Sequence, residues 1–287
     1  MIRMRKIFRP FLLMLPVVFL VFLGDATAAG MEPSLCQRLA AEKGLEQAVV
    51  ARYCSDKKRI DVDTRIIGKN LKQVEYKATY DRFSGSASVR KAQAFLDENR
   101  KWMAEIEKKF KVEAEVITAI FLVESDLGRY PGRYSLLQVF ISLASCNQEE
   151  YLRLVYRDLK PKFPDLDYAW LQRRARKKSA WGYTQLVALL QMADRLEVDS
   201  VKGSWAGAFG ICQFIPSSCL SYAVDGSGDN KIDLYNFKDA AASVANYLKA
   251  HGWRPGLDVK QQEKVVLSYN HSRLYCEAVV ALAGQLQ

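Results

Sequence analysis

Residues 112–128 read VEAEVITAIFLVESDLG, and this stretch decides both the fold class and where to look for chemistry. Val116, Ile120, Glu124 and Leu127 fall at i, i+4, i+8 and i+11, which is one face of an α-helix. Ile117 and Phe121 widen that face into an apolar stripe, and a helix so built buries the stripe with Glu124 in it. Gly128 stands where a glycine can end a helix in the left-handed conformation. Burial and the negative end of the helix dipole both raise the pKa of a carboxyl held there. A carboxylic acid kept protonated near neutral pH is the proton donor that general acid catalysis needs. On spacing alone two plainer readings compete: a buried glutamate paired with an arginine, or an edge position that reaches water.

Working outward, helical periodicity dominates the chain, with few strand-like alternations and no repeat or low-complexity tract. It predicts one or two short helices within 34–54 and longer ones near 88–110, 113–127, 134–145, 167–198, 237–251 and 261–285. The fold class is therefore mostly α, with a small N-terminal helical region (29–86) ahead of a main domain (87–287). The boundary is set at Phe83-Ser84-Gly85-Ser86. Stretches 199–219 and 225–236 are rich in glycine and serine and read as loops, where sites are usually built on a rigid scaffold.

Arg3, Arg5, Lys6 and Arg9 precede an apolar run from Phe11 to Leu23, and Ala26-Thr27-Ala28 follows, the pattern of a cleaved signal peptide over 1–28. The run contains Pro16 and is shorter than the roughly 20 apolar residues of a spanning helix. The expected location is therefore the periplasm. Removing this leader lowers the formal charge from +10 to +7 and leaves about 259 residues, enough for a substantial core. A basic exported protein suits an anionic polymer outside the cytoplasm, and export argues against nucleic acid as a partner. Six cysteines in an oxidising compartment permit disulfides. Cys36 with Cys54 is the first pair expected, since both flank one short helical segment. The others read equally well as small buried apolar residues. No Cys/His spacing suggests zinc.

Several motifs together resemble the lytic murein transglycosylases of the membrane-bound type B group. Val123-Glu124-Ser125 with Gly128-Arg129-Tyr130 and Gly132 is similar to that group's catalytic segment. Gly203-Ser204-Trp205-Ala206-Gly207-Ala208-Phe209-Gly210 and Gln213-Phe214-Ile215-Pro216-Ser217-Ser218 are similar to its central motif. Ala223-Val224-Asp225, Ser243 to Leu248, and His251-Gly252-Trp253 follow in order, and Tyr269-Asn270-His271-Ser272 with Tyr275 resembles its closing motif. The likeness covers roughly 88–287. It implies a lysozyme-like α domain in which Glu124 is the single acid/base cleaving the glycan strands of peptidoglycan. It also implies sugar contacts at Ser204, Gln213, Tyr247, Tyr269, Asn270 and Tyr275. For Tyr247 and Tyr275, core packing is the competing reading. No cofactor is expected for the chemistry. The expected partners are glycan strands and proteins of the cell-wall machinery. A lysozyme-type hydrolase and a non-catalytic wall-binding protein are the alternatives. Phe209 stands where the group usually has methionine, which implies altered packing. Cys212 and Cys219, either side of Gln213–Ser218, are a candidate bridge, with Cys146 and Cys276 as equal alternatives.

Asp225, Ser227, Asp229 and Asp233 place oxygen ligands at alternate positions, like a calcium loop of the EF-hand kind. Asn236 stands where such loops carry glutamate. The resembled group closes a longer loop with a later aspartate, here Asp239, and the Lys231 carbonyl would complete the set. The resemblance thus implies a structural calcium in 225–239, where spacing alone gives only an acidic turn. The basic run Arg173-Arg174-Ala175-Arg176-Lys177-Lys178 reads as a solvated helix face or as a contact for the carboxylates of peptide stems.

Overall fold

The computed structural model describes residues 34–55, 61–72 and 78–286; the leader expected over 1–28 lies outside the described residues. From Ser34 onward the chain forms one compact unit. It begins with α1 (Leu35–Ala40) and α2 (Gln47–Cys54), joined by the expected Cys36–Cys54 disulfide. The bridge spans 18 positions, a loop whose closure is worth about 3 kcal/mol by chain entropy. Ser34 and Gln37 form a capping box at the start of α1, each supplying an acceptor to the other's backbone N–H. The Asp63 carboxylate caps α3 (Thr64–Leu71), and α4 (Ala78–Asp81) follows.

The site is carried by the next elements. α5 (Ser86–Phe110) packs along α6 (Ala114–Ser125), and α6 also meets α11 (Phe237–Ala250) and α13 (Arg273–Ala283). Ile117, Ile120 and Phe121 of α6 are completely buried, each contributing about 1.5–3 kcal/mol by leaving water. Phe121 forms a ring cluster with Phe95 and Phe237. After α6 come β1 (Tyr134–Ser135), α7 (Leu136–Ala144), α8 (Glu149–Leu159) and α9 (Tyr168–Leu190). α7 and α9 approach so closely at Gly182 that a Cβ there would sit 2.7 Å from Leu143 Cβ. β2 (Lys202–Gly203) pairs antiparallel with β1, Tyr134 opposite Gly203, the one sheet among the described residues. α10 (Pro216–Tyr222) and α12 (Val259–Tyr269) complete the fold.

The chain is mostly α, as its periodicity predicts. Leu35, Leu39, Val50 and Ile66 from the N-terminal region join the same core as α6. A second, smaller core gathers Ile67, Leu71, Leu152, Val155 and Leu171 between α3, α8 and α9.

Four departures from the sequence reading have local causes. The helix expected over 261–285 is two helices, because Asn270 takes an extended backbone (φ −141°, ψ 122°) and the Ser272 hydroxyl caps α13 by accepting from the Tyr275 N–H. Asn and Ser compete for backbone hydrogen bonds in this way, so the apolar period runs on while the helix does not. α9 ends at Leu190, not near 198, in a run of turns. α10 occupies the end of a stretch read as loop; it starts with Pro216 at its first position, where the missing N–H costs nothing. The Cys212–Cys219 bridge is not formed: both are buried thiols, as is Cys146, behaving as small apolar side chains. Cys276 is also buried, its Sγ 3.7 Å from the Asn270 carbonyl.

Candidate active site

α6 ends two residues earlier than its apolar period. Asp126, Leu127 and Gly128 follow Ser125 with φ of 55°, 58° and 80°, three left-handed residues in succession. For leucine that conformation costs of order 1 kcal/mol or more, and such strain collects at functional sites. Two anchors hold it. The Leu127 N–H donates back to the Phe121 carbonyl at 3.0 Å, and the Ser125 hydroxyl donates to the Ile211 carbonyl at 2.7 Å while accepting from the Gly128 N–H at 2.9 Å. Ser125 therefore fastens the end of α6 to the glycine-rich loop. The helix places Glu124 one residue before this clasp, at the edge of the buried stripe.

That loop is shaped by close backbone contact. A Cβ on Gly132 (φ 106°) would lie 2.0 Å from the Gly203 carbonyl carbon, so the segment leaving α6 lies directly on β2. The Ser204 N–H donates to the Ala208 carbonyl and its Oγ accepts from the Ala208 N–H, which leaves the hydroxyl proton available. Gln213 holds φ at 50°, and its amide nitrogen donates to the carbonyls of Pro131 (3.0 Å) and Gly210 (2.8 Å). Both N–H bonds of that amide are committed, so Oε1 remains as an acceptor. Phe209 is buried between these two residues and its N–H bonds the Phe214 carbonyl, consistent with a packing role.

The break between α12 and α13 supplies the opposite wall. Tyr269 donates its hydroxyl to the Cys212 carbonyl, so this ring is tied to the loop carrying Gln213. The Tyr269 and Tyr275 rings lie 6.4 Å apart and nearly parallel. Asn270 is half-buried, and its side chain makes no hydrogen bond among the described residues. Tyr247 is a different case. It is 7% exposed, donates its hydroxyl to the Ser268 carbonyl at 2.6 Å, and stacks on His251 at 4.1 Å. Its ring supports Tyr269 from behind at 5.1 Å, the packing alternative for this residue. Tyr275 is fully buried too, but among the described residues its hydroxyl finds no ordinary hydrogen-bond partner, and it faces the Glu124 carboxyl.

These placements fix the electrostatics. Glu124 keeps partial contact with solvent but sits amid apolar and aromatic groups, and burial raises its pKa to about 7. The Tyr275 hydroxyl pulls the other way, by interacting with the ionised form. No cation pairs with Glu124 among the described residues. The ion-paired reading is thereby excluded. The Tyr269 and Tyr275 hydroxyls are pushed well up by burial first, with the Glu124 charge adding to it. Asp126, the nearest acid in sequence, is drawn outward to Lys91 at 2.5 Å. Thus Glu124, Tyr269 and Tyr275 stand together. Gln213 and Ser204 are tied to them through the loop backbone, and Asn270 by its place beside Tyr269. Sequence reasoning missed the Ser125 clasp and the Lys91–Asp126 pair; Ser125 stood in the quoted motif without a role.

The acidic loop behaves partly as expected. Asn230 takes a positive φ of 64°, as its position in the loop requires. Asp225 Oδ2 accepts from the Asn230 N–H and Asp239 Oδ2 from the Asp233 N–H, one amide each, so each keeps a second acceptor direction. Backbone amides, Gly228 first, hold the Asp225 pKa below the usual range. Among the described residues no three His, Cys, Asp or Glu side chains come together closely enough to hold a metal ion. The carboxylates, the Ser227 hydroxyl and the Lys231 carbonyl make a donor set suited to a hard cation. In this conformation the loop uses its carboxylates to bind its own backbone.

The raised pKa has a consequence for stability. An unfolded glutamate ionises near 4.5 and the folded one near 7. Between those values the unfolded chain releases a proton that the folded chain keeps, so stability falls as pH rises. Glu124→Gln removes this loss. Urea denaturation at pH 5 and pH 8 is expected to show the variant gaining on the wild type by about 2–3 kcal/mol over that interval, at roughly 1.4 kcal/mol per unit. An equal difference at both pH values contradicts a desolvated Glu124.

Comparison with known proteins bears on the family and the fold. A Transglycosylase SLT domain matches residues 30–266. Over 158 residues the chain is 35% identical to Membrane-bound lytic murein transglycosylase B of Escherichia coli (strain K12), an alignment covering 55% of this chain and 35% of that protein. The match thus spans about a third of the relative's length. SltB3 from Pseudomonas aeruginosa in complex with NAG-anhNAM-pentapeptide superposes with a TM-score of 0.66 at 22% identity, covering 87% of this chain and 76% of that one. Escherichia coli lytic transglycosylase Slt35 in complex with calcium gives 0.56 at 24% identity, over 72% and 77%. The helical scaffold with Glu124 at the end of its central helix is that of a lysozyme-like transglycosylase, and the chain belongs to the Transglycosylase SLT domain family.

Proposed function

We propose that this chain is a periplasmic lytic transglycosylase, exported by its leader, that cleaves the β-1,4 bond between N-acetylmuramic acid and N-acetylglucosamine in peptidoglycan. One observation carries the reading: the Glu124 pKa is raised to about 7, with no cation beside it among the described residues. Its proton goes to the glycosidic oxygen as the bond to the anomeric carbon breaks, with the muramyl N-acetyl group assisting at that carbon. The Glu124 carboxylate then takes the proton of the 6-hydroxyl, whose oxygen closes on the anomeric carbon. The products are a new glycan end and a 1,6-anhydromuramoyl end; no water is consumed and Glu124 regains its proton.

Ordinary glycosidases place a second carboxylate roughly 5–10 Å from the first to act as nucleophile or base. Asp126 is held by Lys91, and among the described residues no other acid perturbs the ionisation of Glu124, which favours the one-carboxylate chemistry over hydrolysis. Ser204 as donor, Gln213 Oε1 as acceptor and the free Asn270 amide suit sugar hydroxyls and N-acetyl groups. Tyr269 and Tyr275 offer ring faces and a hydroxyl beside the acid. Tyr247 backs that wall.

Digestion of sacculi followed by mass spectrometry tests the reaction. Anhydro ends, lighter by one water than reducing ends, are expected from the wild type. Glu124→Gln is expected to lower the rate by at least about 10³-fold, a loss of the order that follows removal of both proton-transfer roles. Reducing ends would instead mark a hydrolase, and unchanged digestion by the variant would show that Glu124 is not the acid.

We further propose that Asp225, Ser227, Asp229, Asp239 and the Lys231 carbonyl take up a calcium ion that stiffens the loop ahead of α11. Its role is structural. Millimolar calcium is expected to raise the melting temperature above that in chelator, since an ion that binds only the folded chain stabilises it, and Asp229→Asn is expected to reduce the rise. Identical melts with calcium and with chelator sink the assignment.

A further inference from the structure

The face over the smaller core carries a groove that takes no part in this chemistry. A cavity of about 650 Å³ lies there against α3 and α8, with Leu159 and Trp205 in its lining. Arg65, Lys69, Lys72 and Lys162 line it against a single acid, Asp158. Lys72 and Lys162 also line a neighbouring cavity of about 620 Å³, which reaches Phe163, Trp170 and Arg173. Phe163 and Trp170 are 39% and 38% exposed, and the Lys72 Nζ stands 4.2 Å from the first ring and 5.5 Å from the second.

Most of this charge is not spent inside the protein. Arg65 is taken up by Asp63 at 2.8 Å, and Asp158 has its own partner in Arg157. Lys162 and Arg173 form no ion pair among the described residues. The groove is fixed at two points, one on the glycine-rich loop and one on β1. Asn70 Nδ2 donates to the Trp205 carbonyl at 2.9 Å, and Lys69 Nζ donates to the Tyr134 hydroxyl of β1 at 2.7 Å. Trp205 is the chain neighbour of Ser204, so the groove ends where the proposed sugar contacts begin.

We propose that this groove binds the peptide stem of the muramyl residue, its carboxylates on Lys72 and Lys162 and its aliphatic side chains on Leu159 and Trp205. The proposal rests on the glycan reading above. Cationic side chains on an apolar floor match a short acidic peptide, whose charged and methyl-bearing groups alternate. They suit an uncharged sugar face less well. A five-residue stem extends up to about 17 Å, long enough to leave a saccharide beside Ser204 and lie along α3. Arg173 at the far mouth gives the basic run of α9 a ligand-facing member.

The test uses Lys72→Gln/Lys162→Gln and two substrates, glycan strands with their stems and strands stripped by an amidase. KM on stem-bearing strands is expected to rise about 3–10-fold in the variant at low salt, less so as salt screens the charges. Its kcat, and both constants on stripped strands, are expected to match the wild type. Equal losses on both substrates would show a saccharide in the groove, and no loss on either would show an unused surface; each overturns the proposal. Calorimetric binding of a soluble stem-bearing fragment needs no cleavage. If the wild type binds it through these lysines but cleaves neither substrate, the transglycosylase reading fails and the groove stands. If it cleaves both and the variant loses nothing, the groove alone fails.

Discussion

A carboxyl group without a counter-charge is costly to hold in apolar surroundings, and the structure is arranged around doing so at Glu124. Burial raises its pKa to about 7 even against the lowering effect of the Tyr275 hydroxyl, and an arginine or lysine on any neighbouring helix would undo this by favouring the ionised form. The cations near the end of α6 are engaged elsewhere, with Lys91 facing Asp126 outside the pocket. Among the described residues the group acting on the charged form is the Tyr275 hydroxyl, which can stabilise the carboxylate once the proton has gone without fixing it beforehand. The cost falls on α6, and the burial of Ile117, Ile120 and Phe121, at about 1.5–3 kcal/mol each, works against it.

Position matters as much as charge. A helix end is free to fray, but Ser125 ties this one to Ile211, and the left-handed turn through Leu127 directs the chain back across β2. Gln213 holds a left-handed conformation on the facing loop. Asp126 and Leu127 at the end of α6 and Gln213 on the loop thus carry backbone strain close to the acid, held by hydrogen bonds that local sequence preference would not select. Tyr269 closes the arrangement by bonding the loop at Cys212. Acid, loop and aromatic wall are coupled by a few backbone carbonyls.

The mostly α class and the place of Glu124 were legible because both rest on the 3.6-residue period, and α6 follows it closely. The period was misleading where a polar side chain captured the backbone. It runs unbroken through 261–285, while Asn270 and Ser272 end one helix and start the next, and Tyr275, which meets the acid, lies just past that break. Tyr247 shows the opposite limit. Its place in a resembled motif carries a role, but only coordinates reveal that its hydroxyl is committed to Ser268. The groove beside Trp205 was out of reach altogether, because it joins residues on α3, α8 and the glycine loop that no spacing relates.

The central claim concerns one proton, and direct titration of Glu124 tests it without substrate. Carboxyl carbon resonances of glutamate-labelled protein, with Glu124→Gln to assign the signal, report the ionisation of each side chain. The account predicts a Glu124 midpoint near pH 7, moving lower if Tyr275 is strengthened as a donor and higher in Tyr275→Phe. A midpoint near 4.5, among the surface glutamates, would contradict it.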